Sequence, residues 1–141
     1  MIYEVEGDIL HTGAGAIAHG VAANDPMNQG LAAALHKMYP AMHKDFHHWC
    51  SQQHPKLGSK PRQASVSSVN HALRALRKII ADEELASIAL PRLATGVGGL
   101  DWAEVQPLIR QQLADSDADI YVYQTYVPGQ KAAEPKRRAG S

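Results

Sequence analysis

The sequence predicts one three-layer α/β domain, with helices on both faces of a mixed central sheet. Three observations predict it. Short runs of strand character, at 2–5, 16–22, 87–90 and 120–123, alternate with longer runs of helical periodicity. A length of 141 residues suits a single core of ordinary size. A glycine-rich turn, with Gly96, Gly98 and Gly99 in four residues, joins the third strand to the helix after it. Strands separated by helices in this way argue for the three-layer arrangement.

Taken in order, Ile2-Tyr3-Glu4-Val5 alternates apolar and polar, and Gly7-Asp8 ends that strand. Residues 16–22 are apolar and small, as a buried strand is, and Asn24-Asp25-Pro26 reads as a turn. Residues 30–38 are rich in Ala and Leu and helical by propensity, with Pro40 marking the stop. Residues 41–53 predict a second helix, spaced by Met42, Phe46 and Trp49, and 54–63 a loop. Ser65 then suits the N-cap of a helix whose buried stripe is Val66, Val69, Leu73, Leu76 and Ile80. Ser87 to Leu90 is a strand. Asp101 and Glu104 form a capping box ahead of a helix that buries Trp102, Val105, Ile109 and Leu113. Ile120 to Tyr123 is the last strand. The domain is expected over 1–127, and 128–141, without periodicity, is expected to be a flexible tail.

Composition excludes several classes. Lys+Arg and Asp+Glu both number 14, so the chain lacks the positive footprint of a general nucleic-acid binder. The lone Cys50 rules out an intrachain disulfide and a Cys-rich zinc site. No apolar run is long enough to span a bilayer, and the acidic N-terminus has no basic leader region. A cytoplasmic protein without membrane contact is expected. His43 and His47 stand i, i+4, with His48, Cys50 and His54 near by. No glutamate completes a metal-binding helix motif, and the apolar stripe already accounts for the segment, so no metal is expected.

The strongest chemical signal is the run from Leu90 to Trp102. Its glycines leave backbone N–H groups free to approach an anion ahead of a helix N-terminus, which suits a phosphate or diphosphate. With it stand Gly7-Asp8-Ile9, the run from Ile17 through His19 to Asn24-Asp25, and Met27-Asn28-Gln29-Gly30-Leu31-Ala32. In this order these motifs resemble a macrodomain, most of all the branch of terminal ADP-ribose glycohydrolases and DNA ADP-ribosyl glycohydrolases. The resemblance covers residues 2 to about 126.

That resemblance implies an ADP-ribose site. Asp8 would accept the adenine amino group, with the Ile9 N–H beside it. Asn28, Gln29, Gly30, Leu31 and Ala32 would form a first phosphate loop, and Thr95, Gly96, Val97, Gly98, Gly99 and Leu100 a second. His19 would be a ligand-binding residue as well. Asn24 and Asp25 would face the distal ribose and are the catalytic candidates, and Tyr123 or Tyr126 would stack on adenine. The partner would be ADP-ribose, free or carried on protein or nucleic acid, and no organic cofactor is implied. Plainer roles compete: Asp8 as a turn cap, Asp101 as a helix cap, His19 as a packing residue, Asn24-Asp25 as turn formers.

Two departures from the family pattern bear on activity. The strand structure that macrodomains carry ahead of the helix at 65–81 has no counterpart between residues 50 and 65, where Lys56 and Lys60 match no family lysine. The resembled terminal glycohydrolases also place an acid where this chain has Gly98. Hydrolysis of ADP-ribosyl linkages and an interaction role without turnover therefore both remain open on sequence.

Overall fold

The computed structural model describes residues 1–19, 30–41, 65–93 and 99–135. They divide into two compact units, Met1–Gly20 with Ala64–Ser141, and Val21–Gln63. The expected helix at 41–53 with its histidines and Cys50, and the shortened segment between 50 and 65, lie almost wholly outside the described residues.

In the larger unit three strands form a sheet: β1 (Ile2–Gly7), β2 (Ser87–Leu90) and β3 (Asp119–Tyr126), in the order β1-β3-β2. Both pairings are parallel, Ile2 opposite Ile120 and Ile88 opposite Ile120, with a register shift between Val5 and Glu6. Among the described residues every strand pairing is parallel. The run at 16–22 contributes one parallel bridge, Ile17 to Ala89, on the free side of β2. Ala18 N–H donates to Ala89 O and Ala89 N–H to Ala16 O. The described stretch ends at His19.

The smaller unit holds α1 (Gly30–Met38), with Leu35 buried. In the larger unit α2 (Val66–Asp82) and α3 (Trp102–Leu113) pack against each other and against one sheet face. Val69, Leu73 and Ile80 of α2 join Val105, Ile109 and Leu113 of α3 over Ile88, Leu90, Ile120 and Val122. Val66, placed on the stripe by its spacing, is 44% exposed because it opens the helix beyond the sheet contacts. Between the helices Gln112 Nε2 donates to Asn70 Oδ1 at 2.7 Å. A fully buried Leu or Ile contributes about 1.5–3 kcal/mol. The half-exposed Arg110–Glu4 pair contributes a few tenths to about 1 kcal/mol. Packing, not ion pairing, therefore holds this face.

The other face carries tyrosines. Tyr3 and Tyr121, opposite each other in the sheet, stack with centroids 5.6 Å apart. Residues 128–135, expected to open a flexible tail, close over this side as far as Pro135. Tyr121 Oη donates to Pro135 O, Ala132 is buried, and Tyr123 Oη donates to Glu134 Oε2 at 2.6 Å. Gly7 is the place where this segment crosses β1. Its φ is +152°, and a Cβ there would stand 2.8 Å from the Ala132 nitrogen and the Gln130 oxygen. Glycine is needed at that position for approach as well as for conformation.

Candidate functional site

Because all three strands are parallel, Gly7, Leu90 and Tyr126 end at one edge of the sheet. Ligands of open α/β sheets bind outside that carboxyl edge. Two of the sequence-predicted segments leave the sheet there: Asp8-Ile9 from β1 and the glycine-rich turn from β2.

Asp8 is 5% exposed and caps the short 3₁₀ turn at Ile9–His11. Its Oδ1 accepts from the Leu10 N–H at 3.0 Å and its Oδ2 from the Gly129 N–H at 2.9 Å. The Asp8 N–H in turn donates to Gln130 O at 2.7 Å. The cap role weighed on sequence is therefore present. An ionised carboxylate has about four accepting positions, so two bonds leave room for a third partner. Ile9 is buried beside it, and His11 Nε2 stands 3.8 Å from Oδ2.

The second segment is anchored at both ends. Leu93, Leu100 and Trp102 pack against the core, and Arg92 Cζ lies 5.6 Å from the Trp102 ring centroid. Gly99 adopts φ +76°, which favours glycine, and is exposed. Thr95, Gly96, Val97 and Gly98 lie outside the described residues. Asp101 is the N-cap of α3, and its N–H donates to Glu104 Oε2 at 3.4 Å. This supports the capping reading of Asp101. It also qualifies the expected anion site. Two carboxylates at a helix N-terminus offset a partial charge of about half a unit.

The remaining predicted residues fall as follows. Asn24, Asp25, Asn28 and Gln29 lie outside the described residues. Gly30 opens α1 as expected, Leu31 and Ala32 follow it in the helix, and the first turn carries no acid. His19 is half-buried just beyond the Ile17 bridge. Tyr123 is buried, with its hydroxyl bonded to Glu134, so it is not open for adenine stacking, whereas Tyr126 is 58% exposed at the end of β3. The Tyr123 pKa is pushed up from 10 to about 12, by burial first and then by the bond to Glu134. Sequence reasoning missed Gly129, Gln130 and Glu134. A Pro-Gly pair at 128–129 was the available sign, since Pro followed by Gly predicts a tight turn rather than a free tail.

Known proteins match this arrangement. The Macro domain family model matches residues 53–109. DNA ADP-ribosyl glycohydrolases of Mycobacterium bovis and Mycobacterium tuberculosis are 28% identical over 147 residues, covering 86% of this chain and 42% of theirs. The chain thus spans under half the length of those relatives. Among solved structures, the macrodomain of Thermus aquaticus DarG superposes with TM-score 0.77 at 22% identity, covering 88% of this chain and 98% of that one. The macrodomain of Mycobacterium tuberculosis DarG gives 0.75 at 24%, covering 92% and 99%. Thermosipho africanus DarTG in complex with ADP-ribose gives 0.75 at 19%, covering 92% of this chain and 42% of that one. With its parallel sheet, its loops at the carboxyl edge and these matches, this chain has the fold of a macrodomain.

Proposed function

We propose that this chain binds ADP-ribose at the carboxyl edge of its sheet. One observation carries the reading: in a macrodomain fold, Asp8-Ile9 and the Gly99-Leu100 turn leave parallel strands of one sheet at the same edge. In this reading Asp8 uses a remaining lone pair for the adenine amino group, and exposed Tyr126 offers its ring face. The loop before α3 supplies N–H groups to the diphosphate. The complex of Thermosipho africanus DarTG with ADP-ribose supports the ligand, and the name of the mycobacterial relatives supports hydrolysis of an ADP-ribosyl bond on DNA. In that reaction Asn24 and Asp25 would place water at the distal ribose. Gly98, standing where the resembled glycohydrolases carry an acid, favours binding without turnover as the second reading.

Calorimetric titration with ADP-ribose and AMP tests the binding. ADP-ribose is expected to bind at least about tenfold tighter, since one extra phosphate contact set is worth about 1.4 kcal/mol or more. Gly99→Ala, strained at φ +76°, should narrow that gap. Equal affinity for the two ligands, or no binding, would overturn the reading. Release of ADP-ribose from modified DNA or protein, lost in Asn24→Ala and Asp25→Ala, separates hydrolysis from binding alone.

A further inference from the structure

We propose that Glu134 is a positioning residue for adenine recognition, acting on Asp8 through the chain segment it anchors. The inference rests on the ADP-ribose reading above. Asp8 is not held by its own loop alone. Its Oδ2 takes the Gly129 N–H and its N–H gives to Gln130 O, so its orientation depends on where residues 129–130 lie. Those residues form a tight turn, closed by Gln130 N–H donating to Val127 O, with Gly129 at φ +75°. On its far side the segment is held by the Glu134 carboxylate, next to the bond from Tyr121 Oη to Pro135 O. Glu134 Oε2 accepts from Thr12 Oγ1 at 2.5 Å and from Tyr123 Oη at 2.6 Å, and Oε1 accepts from the Gly13 N–H at 2.8 Å.

Thr12 and Gly13 belong to the loop that begins at Asp8, and Tyr123 to the central strand. Glu134 therefore joins the C-terminal segment to both the site loop and the sheet, 121 or more residues away along the chain for the loop. The two segments are tied at both ends, at Asp8 with 129–130 and at Thr12-Gly13 with Glu134, with Ala132 seated on Gly7 between them. Releasing the Glu134 end leaves the Asp8 carboxylate oriented by Leu10 and a loosened turn. A carboxylate that must aim a lone pair at one amino group loses selectivity when its orientation spreads. The diphosphate, bound by the other loop, is indifferent to that change.

The test uses two ligands that differ at that amino group: ADP-ribose, and its hypoxanthine counterpart with a carbonyl oxygen there. Calorimetry on the unaltered chain should show a preference for ADP-ribose of about tenfold, the worth of one hydrogen bond to a charged group. Glu134→Ala should bring that preference close to one, with affinity for the hypoxanthine ligand unchanged within about twofold. Glu134→Gln, whose carbonyl still accepts the Gly13 N–H while its amide NH2 donates to the Thr12 and Tyr123 hydroxyls, which can turn to accept, should restore most of it. Amide exchange without ligand adds a second readout. In Glu134→Ala, exchange at Leu10 and Gly129 should speed up about tenfold or more while α3 stays protected. An equal loss for both ligands, or an unchanged preference, overturns the positioning role with ADP-ribose binding intact. Unchanged exchange at Leu10 and Gly129 overturns it as well. Absence of ADP-ribose binding by the unaltered chain overturns the ADP-ribose reading, and this inference with it.

Discussion

Single residues on the tyrosine side decide how this molecule answers to pH. Tyr123 is 5% exposed, and its phenol is held protonated up to about pH 12, by burial first and by Glu134 second. The unfolded chain releases that proton near the ordinary value of 10. Between those values the native state binds more protons than the unfolded state, so stability falls as pH rises. The contribution is whole below pH 10 and is lost on the way to 12, at no more than about 1.4 kcal/mol per pH unit. Urea midpoints compared at about pH 7 and about pH 11 should show the loss. Tyr123→Phe should start lower by about 0.5–1.5 kcal/mol for the missing bond to Glu134, and then fall less steeply. Tyr121, also raised by burial first, keeps some slope in that variant. An equally steep fall in Tyr123→Phe would assign the alkaline loss to other groups.

At the scale of elements, α2 shows both what local sequence dictates and what it leaves open. After Asp82 the chain closes with Leu85 N–H donating to Ile80 O and Glu84 N–H to Ala81 O, and Glu84 takes φ +52°. That is the geometry of a helix end that glycine fills best, and a glutamate there carries conformational strain. Glu84→Gly should raise stability by about 0.5–1 kcal/mol, measured as a higher urea midpoint at unchanged slope. A lower midpoint would mean that the Glu84 side chain makes a contact worth more than the strain. The stripe of Val69, Leu73 and Ile80, the capping pair Asp101 and Glu104, and the strand Ser87–Leu90 were all legible, because periodicity, capping and β-propensity act within one turn or one strand. Asp8 was legible as a cap, since a short carboxylate after a glycine accepts readily from the N–H groups that follow it. The burial of Tyr123 was not. Alternation in β3 says that 121 and 123 share a face, but what covers that face comes from residues 128–135, which carry no period. Nor does local pattern tell a mixed sheet from a parallel one, since strand direction follows from connections across the whole chain.

On the scale of the whole larger unit, the segment 128–135 works as part of the fold rather than as an extension of it. It gives the Tyr121 and Tyr123 hydroxyls their acceptors, supplies two of the bonds to Asp8, and seats a buried Ala132 against Gly7. A chain cut after Val127 would lose all of these at once. Each hydrogen bond lost from a buried group costs about 1–3 kcal/mol where water does not replace the partner, and less where removal of the segment lets water in. The helices and core of the opposite sheet face keep their own contacts, so the net loss should be about 2–4 kcal/mol, a large part of an ordinary domain's stability. A chain cut after Pro135 keeps every one of these bonds and is the matched control. Urea denaturation of the two chains separates the alternatives. A midpoint shared by both would mean that 128–135 is an appendage, as its composition suggests. A fall confined to the chain ending at Val127, or its failure to fold, would make the folded domain of this chain end at the C-terminal segment. The boundary would then be drawn by the reach of Glu134 to Thr12, not by the last residue of β3.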